Sequence, residues 1–294
     1  MQPTEHTHPL YIVSKGRADS RHTSRALEQM GCRYFMVVEP QEVDQYRAAV
    51  DPRLCTILPL DMSYKERYET LDNLGQSKST GPGPARNFAW DHSLSLGHSW
   101  HWVMDDNIMW FGRLHQNTKY KILSPRFWQM MEVWCARYSN LGMAGPNYEH
   151  FLPRKVKRPP FITNTRIYSC NLIRNDLPFR WRGRYNEDTI LSLDLLTAGW
   201  CTVQFNAFMQ KKMGTQRIGG GNTAEFYAQE GTLPKSRMLV RAYPKLARLV
   251  WKFNRWHHTV DYASFQRLTL KLAEGVQVPS GVDEFGLALA PVRK

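Results

Sequence analysis

The first hundred residues alternate short apolar segments with longer segments of helical periodicity, and this alternation restricts the fold more than any other feature. The apolar segments predict strands at residues 10–14, 33–38, 55–59 and 101–104. The segments between them predict a polar loop at 73–83 and helices at 20–30, 41–50 and 84–96. Strands that alternate with helices form a mostly parallel sheet flanked by helices. The fold class is therefore predicted to be α/β and Rossmann-like.

The remainder of the chain is less regular. Its patterns predict helices at residues 125–140 and 187–198 and strands at 166–174 and 200–209. A glycine-rich loop at 214–221 then precedes a basic region, which we expect to be helical from residue 223 to about 258. We expect one large domain over residues 1–212 and an extension over 213–294.

Two adjacent acids and an amide, Asp105-Asp106-Asn107, interrupt an apolar run directly after the fourth predicted strand. Like charges side by side cost energy unless another group offsets them. In doubly wound sheets, ligands bind beyond the carboxyl ends of the strands, which is where this cluster falls. Oxygen ligands of this kind suit Mg²⁺ or Mn²⁺, which can bridge the phosphates of a nucleotide. An Asx turn or helix cap is the structural alternative.

Further polar side chains fall near the same predicted edge. Ser14, Lys15 and Arg17 follow the first strand, and Glu39 follows the second. Arg86 and Asn87 lie in the first turn of the helix before the fourth strand, where they could donate to a base or a phosphate, or simply be solvated. Glu187 and Asp188 open another helix; such acids commonly cap it, but one could also remove a proton from a hydroxyl group.

The charge balance favours an anionic partner. Lys and Arg number 39 against 26 acids, giving a net charge of +13. Bases are interleaved with aromatics over residues 154–184, a composition that can neutralise phosphates and stack on nucleobases, although a solvated basic face is an equal alternative. Lys211 and Lys212 precede the glycine-rich loop, which could clamp a phosphate or be a plain linker. Candidate DNA contacts are Arg166, Arg180, Trp181, Arg182, Arg184, Arg217, Arg241 and Lys245.

The five cysteines are odd in number and mostly lie in apolar segments, which is typical of reduced thiols in a cytoplasmic protein. No run of eighteen apolar residues and no signal-peptide pattern occurs, so we expect no membrane association. The GxSxG, HExxH and CxxC motifs are also absent.

Five segments, taken in order, resemble GT-A fold glycosyltransferases over about residues 10–212: YIVSKGR, PARN, VMDDN, YSCNLIR and NEDTILSLDLLTAGW. Within that superfamily the chain most resembles the TET-associated glycosyltransferases of bacteriophages. The resemblance implies transfer of a sugar from a UDP-sugar to 5-hydroxymethylcytosine in phage DNA, in the cytoplasm of the infected host cell. It also implies a functional link to a TET-like oxygenase that makes the hydroxymethylated pyrimidine.

The resemblance also implies roles for individual residues. Residues 10–110 would bind the nucleotide sugar and residues 111–212 the acceptor. Asp105 and Asn107 occupy the first and third positions of the DxD-type motif with Asp106 between them, implying Mn²⁺ or Mg²⁺ at this cluster. Asp188 matches the general base of inverting members, with Glu187 beside it. The implied nucleotide-sugar residues are Ser14, Lys15, Arg17, Arg86, Asn87, Asp105, Lys211 and Lys212.

Three other functions fit parts of the pattern. The enzyme could glycosylate a polysaccharide or a protein, although the net charge of +13 argues against the former. A nucleotidyltransferase would use the same acids, but it more commonly has a glycine-rich loop straight after the first strand. A non-enzymatic DNA-binding protein would need neither Asp105 nor Asp188.

Overall fold

The computed structural model describes residues 7–74, 79–154, 158–213, 232–276, 281–282 and 288–289. These residues form a ten-stranded central sheet. Its strands are β1 (Leu10–Val13), β2 (Tyr34–Val38), β3 (Cys55–Pro59), β4 (Trp100–Asp105), β5 (Ile108–His115), β6 (Thr118–Lys121), β7 (Leu141–Tyr148), β8 (Phe161–Thr163), β9 (Cys170–Arg174) and β10 (Cys201–Lys212). The helices are α1 (His22–Gln29), α2 (Val43–Ala49), α3 (Ser63–Glu66), α4 (Gly83–Ser95), α5 (Arg126–Cys135), α6 (Glu187–Thr197) and α7 (Leu233–Ala242).

The sheet is mixed, and its strand order is β3-β2-β1-β4-β9-β7-β10-β5-β6, with β8 paired to β10. The predicted α/β class is confirmed, and the first four strands are parallel as expected. Beyond β4 most pairings are antiparallel, with the parallel pair β7–β10 as the exception. The parallel strands β1, β2 and β4 end at the same edge, so the residues that follow them lie close together.

The sheet is covered on both faces, which explains why its central strands are apolar at almost every position. Leu10 and Ile12 of β1 point to one face and pack in a cluster with side chains of α1 and α5. Tyr11 and Val13 point to the other face, where α4 and α6 contribute Trp90 and other apolar residues. Successive side chains of a strand point to opposite faces, so one short segment supplies both cores.

The sequence patterns missed four strands of the sheet, which are β5, β6, β7 and the short β8. The hairpin of β5 and β6 follows Asn107 at once, because only Asp106 and Asn107 separate β4 from β5. β7 contains Gly142, Gly145 and Pro146, which are unusual in a central strand. An added Cβ on Gly145 would lie 2.2 Å from the carbonyl oxygen of Cys170. Glycine is thus required there by the close approach of the neighbouring strand.

The prediction of helix from residue 223 to about 258 is wrong for its second part. After α7 the chain forms an antiparallel hairpin of β11 (Ala247–Lys252) and β12 (Arg255–Val260). The two turn residues, Phe253 and Asn254, have positive φ angles of 52° and 56°, which suit a two-residue hairpin turn. The two bases of β11, Arg248 and Lys252, are four residues apart, as on one face of a helix, so the spacing of charges did not mark this segment as a strand. A short pair, β13 (Gly281–Val282) and β14 (Ala288–Leu289), follows.

Two further expectations concern thiols and membranes. All five cysteines are buried and unpaired, as the sequence predicted. Among the described residues, no helix is both long enough and apolar enough to span a membrane.

Candidate active site

A cleft of about 280 Å³ opens where β1, β2 and β4 end and α6 begins. Strand ends and the first turn of α6 therefore supply most of its polar lining. The structure brings together in this lining many of the residues selected from the sequence: Ser14, Lys15, Arg17, Asp105, Asp106, Asn107, Arg166, Arg184, Glu187, Asp188 and Lys212.

Asp105, the last residue of β4, is held between two cations. Arg86 Nη2 donates to its Oδ1 at 2.6 Å, and Lys212 Nζ donates to its Oδ2. Lys212 also donates to Ser169 Oγ at 2.9 Å. These neighbouring positive charges hold the pKa of Asp105 well below its usual range, despite burial, so the carboxylate is ionised. The repulsion implied by adjacent acids is thus offset by cations from α4 and β10.

Arg86 connects the two acidic segments that the sequence analysis selected. Its Nη1 donates to Asp188 Oδ1 at 2.6 Å and lies 3.3 Å from Glu187 Oε1. The guanidinium is only 1% exposed, and it lies 4.5 Å from the ring centroid of Trp181. Burial alone would lower the pKa of Arg86, but the carboxylates raise it further above its ordinary value. One fixed cation therefore organises three carboxylates beside the cleft.

Asp106 has different partners from Asp105. Arg17 Nη1 donates to its Oδ1 at 2.6 Å, and Ser14 Oγ donates to its Oδ2 at 2.7 Å. Ser14 Oγ also lies 2.6 Å from the hydroxyl oxygen of Tyr46 on α2. Burial raises the pKa of Asp106, while Arg17 and Ser14 act in the opposite direction. These contacts tie the loop after β1 to the end of β4.

Asn107 links β4 to the end of β10. Its side-chain Nδ2 donates to the backbone carbonyl oxygen of Met213 at 3.1 Å, and its backbone carbonyl oxygen accepts from the Met213 amide at 3.0 Å. Its Oδ1 is buried without a hydrogen-bond partner among the described residues. The amide thus fixes the strand that carries Lys212.

The residues of this cluster do not form a ready metal site. Both oxygens of Asp105 and of Asp106 accept hydrogen bonds from protein groups. Within the part of the chain that the structure describes, no three Asp, Glu, His or Cys side chains are grouped to hold a metal ion. Positive charge beside Asp105 comes instead from Arg86 and Lys212.

The first turn of α6 carries the second acidic pair. Asn186 adopts a left-handed conformation with φ 56°, which turns the chain into the helix. Asp188 accepts two longer hydrogen bonds besides the one from Arg86. The Ser169 amide donates to its Oδ2 at 3.4 Å, and Asn171 Nδ2 donates to its Oδ1 at 3.5 Å. Burial raises the pKa of Glu187 above its usual range, and the neighbouring Asp188 acts in the same direction. Glu187 therefore holds a proton to a higher pH than an ordinary glutamate.

Aromatic side chains line the cleft on the side of β7 and β9. The rings of Tyr148 and Tyr168 lie 4.4 Å apart between centroids, and the Arg166 guanidinium lies 4.5 Å from the Tyr168 ring. Tyr148 OH lies 2.5 Å from Ser169 Oγ, which links this wall to Lys212. Ser169 has a φ of 65°, a conformation that no local sequence pattern indicated.

Three predicted nucleotide-sugar residues lie outside the cleft lining: Asn87, Lys211 and Arg86, although Arg86 contacts the lining residues Asp105 and Asp188. Asn87 forms a reciprocal pair with the backbone of Trp181, with two hydrogen bonds of 2.9 Å. Lys211 Nζ lies 5.8 Å from the ring centroid of Trp110 on the neighbouring strand. By contrast, Glu39 and Lys65 line the cleft as an ion pair, and Lys65 had not been selected. A lysine in a short polar segment gives no sequence signal of this proximity.

The predicted DNA contacts fall into several groups. Trp181 is 1% exposed, so its prediction as a base-stacking residue is corrected: it packs under Arg86. Arg184 is also buried, and it binds Asp72. Arg182 and Arg180 form ion pairs with Asp194 and Asp91. Arg166 faces the cleft, and Arg241 and Lys245 are exposed near the hairpin. Arg217 and the glycine-rich loop lie outside the described residues.

Comparisons with known proteins identify the family of the chain. Residues 8–221 match the family described as TET-Associated Glycosyltransferase. A search of curated proteins found no match. The family match spans β1 to β10 and both acidic segments, and it therefore covers the strand ends and the helix start that form the cleft. The chain belongs to the TET-associated glycosyltransferase family.

Proposed function

We propose that this protein transfers a sugar from a UDP-sugar to the hydroxymethyl group of 5-hydroxymethylcytosine in phage DNA. The observation that carries the proposal is the clustering of Asp105, Glu187 and Asp188 around Arg86 at one end of a cleft. In this arrangement a carboxylate that can accept a proton lies near cations that can stabilise a phosphate.

The donor nucleotide fits the side of the cleft formed by β1 and β2. Lys15 Nζ lies 3.2 Å from Glu39 Oε1, at the ends of these two strands. An acid at the end of the second strand of a doubly wound sheet commonly accepts a hydrogen bond from a ribose hydroxyl. We assign Glu39 this role and Lys15 a role in binding the diphosphate. The choice of uridine rests on the family resemblance alone.

The proposed reaction is a single displacement at the anomeric carbon. Asp188 accepts the proton of the acceptor hydroxyl, and the oxygen forms a bond to the anomeric carbon. The bond from that carbon to the phosphate oxygen breaks on the opposite face, and UDP departs with the electron pair. The configuration of the sugar is therefore inverted. Lys212, next to Asp105, is positioned to stabilise the charge that develops on UDP.

The family motif implies a divalent cation at Asp105, whereas the contact from Lys212 favours that side chain as the source of positive charge. The protein groups around Asp105 do not fit a site of three protein ligands, and no step of the proposed reaction requires one. A cation held by a single carboxylate and the donor diphosphate is the alternative. Such a cation would compete with Lys212 for Asp105, so the two arrangements predict different responses to chelation.

The acceptor fits the side of the cleft lined by Tyr148, Tyr168 and Arg166. Aromatic faces and an arginine can stack on a base and neutralise its phosphate. A base within duplex DNA would have to be flipped out of the helix to reach Asp188. The link to a TET-like oxygenase, the cytoplasmic location and the division of the chain at residue 212 remain predictions.

The test is incubation with DNA containing 5-hydroxymethylcytosine and a panel of UDP-sugars, with and without Mn²⁺, followed by mass spectrometry of the nucleosides. A hexose adduct is expected with one of these donors. Asp188→Asn should abolish transfer while UDP-sugar binding persists in calorimetry. Asp176→Asn is the matched control, because that carboxylate pairs with Arg174 away from the cleft. Full turnover by Asp188→Asn would refute the base assignment, and transfer only to a saccharide or protein would refute the acceptor.

A further inference from the structure

The hairpin of β11 and β12 presents an aromatic surface to solvent. Phe253, at its turn, is 87% exposed. Trp251 and Trp256 pair across the strands with ring centroids 5.3 Å apart, and they are 58% and 39% exposed. Large aromatic side chains clustered in this way at an exposed tip are unusual unless they serve an interaction.

The same hairpin carries only positive formal charge. Arg248, Lys252 and Arg255 are exposed, and residues 247–260 contain no acid. Lys252 and Arg255 are directly opposite each other across the strands, next to the turn. Like charges in this position repel, and that repulsion is relieved when an anion binds between or beside them. The tip therefore combines an apolar wedge with two adjacent cations.

The base of the hairpin is fixed against the rest of the protein. Ala247 and Val260 pack with Met238 and Leu239 of α7. Thr232 Oγ1 donates to the carbonyl oxygen of Trp256 at 2.6 Å. The exposed tip is thus mounted on a packed support.

This support adjoins the cleft. Asn186 Nδ2, next to Glu187, donates to the carbonyl oxygen of Lys235 in α7 at 2.8 Å. Near the end of β12, burial lowers the pKa of His258 to about 4, and Lys235 and the cleft residue Arg166 act in the same direction. Burial raises the pKa of Tyr262, just beyond β12, to about 12, and the charge of Arg166 acts in the opposite direction. The base of the hairpin is therefore joined through α7 to a residue of the cleft lining.

We propose that the 247–260 hairpin is a duplex-DNA-binding ribbon, with Phe253 inserted between base pairs and with Lys252 and Arg255 on the flanking phosphates. Two-stranded ribbons enter DNA grooves, and apolar side chains inserted at a base step partly unstack it. A duplex anchored at the tip would be positioned for its acceptor base to be flipped out toward the cleft. The inference rests on the proposed function for this second role, but not for DNA binding itself.

Anisotropy of a labelled duplex containing ordinary cytosine, without a sugar donor, tests binding independently of transfer. Phe253→Ala should weaken binding by about tenfold, the order produced by losing one base-stacking aromatic. The double variant Lys252→Gln/Arg255→Gln should reduce the slope of log affinity against log salt by about 2, since each phosphate contact contributes about 1. A fluorescent base analogue within the duplex should brighten with the wild type and not with Phe253→Ala.

Matched controls use exposed residues far from the hairpin in sequence. Tyr120→Ala removes a half-exposed aromatic from β6, and Arg25→Gln/Arg47→Gln removes two exposed charges. Both controls should bind the duplex like the wild type. Melting curves identify any variant whose fold is damaged, and Phe253→Leu, which retains an apolar tip, should keep most of the affinity. Wild-type affinity in Phe253→Ala and in the double charge variant would overturn the proposal.

The remaining outcomes separate this inference from the proposed function. Hairpin-dependent DNA binding with no sugar transfer to hydroxymethylated DNA would support the ribbon and refute the function. Transfer and duplex binding that are both unaffected by every hairpin variant would support the function and overturn the ribbon. Hairpin-dependent binding to anionic lipid vesicles, with no binding to DNA, would also overturn it and would assign the aromatic tip to a membrane surface.

Discussion

Replacing Arg86 by Met tests the central feature of the site. Methionine keeps much of the volume of the arginine side chain but removes the charge that pairs with Asp105, Asp188 and Glu187. Removing one partner of a buried ion pair typically costs about 3–5 kcal/mol, because the remaining charges stay buried. Arg86 is 1% exposed and contacts three carboxylates, so we expect a loss toward the upper end of that range.

The stability that Arg86→Met loses should be smaller at lower pH. At pH 7 the variant holds the carboxylates of Asp105, Glu187 and Asp188 close together. Of the two cations that contact Asp105 in the wild type, only Lys212 remains. Without Arg86 the pKa values of the carboxylates in the folded state rise, so they take up protons as the pH falls toward 5. Protonation relieves the repulsion among all three carboxylates in the variant. In the wild type only the buried Glu187 gains in this way, because Arg86 still offsets the charges of Asp105 and Asp188. The stability gap between wild type and Arg86→Met should therefore narrow at lower pH.

Urea unfolding followed by circular dichroism at pH 7 and pH 5 measures both effects. Arg86→Lys should be intermediate at pH 7, because an ammonium group cannot reproduce the forked contacts of a guanidinium. Arg53→Met is the control: its pair with Asp51 lies on the surface, so little change is expected. A deficit below about 1 kcal/mol in Arg86→Met, with no dependence on pH, would refute the reasoning.

Three further predictions concern single residues. Glu187→Gln should retain transfer and flatten the acid limb of the pH–rate profile, since burial raises the pKa of Glu187. A loss of transfer as complete as that of Asp188→Asn would assign the role of general base to Glu187. Lys212→Met should lower kcat by about 10²–10³-fold, because it removes the positive charge that stabilises the departing UDP, and EDTA should leave the wild type unaffected. Inhibition of the wild type by EDTA, with rescue by Mn²⁺, would assign the stabilising positive charge to a metal ion. Burial lowers the pKa of His101 to about 4, so as the pH falls this imidazole is protonated in the unfolded chain before it is protonated in the folded protein. The free energy of unfolding should therefore fall by about 3 kcal/mol from pH 6.5 to pH 4. Acid unfolding curves should show a smaller fall for His101→Gln.

The strand ends of the site were predictable because they follow a local pattern. β1, β2 and β4 are short, apolar and separated by helices, so their parallel pairing and common edge follow from general rules. Asp105 and Glu39 could therefore be placed at that edge before the structure was known. Asp188 was found because it opens a strongly patterned helix.

Other elements were not predictable because nothing local marks them. β7 is a central strand despite Gly145 and Pro146, since a neighbouring backbone approaches too closely for any side chain at position 145. The basic residues of the 247–260 hairpin resembled those of a helix, and only the cross-strand pairs, such as Trp251 with Trp256, identify it as a ribbon. Trp181 looked like a surface aromatic among bases but packs beneath Arg86.

The sequence by itself determined the α/β class, the edge of the sheet at which the cleft opens and most of the charged residues there. These follow from hydrophobic periodicity and strand direction, which act over a few residues at a time. Only the tertiary structure decided which charges are partners. Arg86 lies 19 positions from Asp105 and 102 from Asp188, and its guanidinium joins them because α4 and α6 both pack against the sheet beside β4. Pairing over such separations depends on how the whole chain packs, and no local pattern records it.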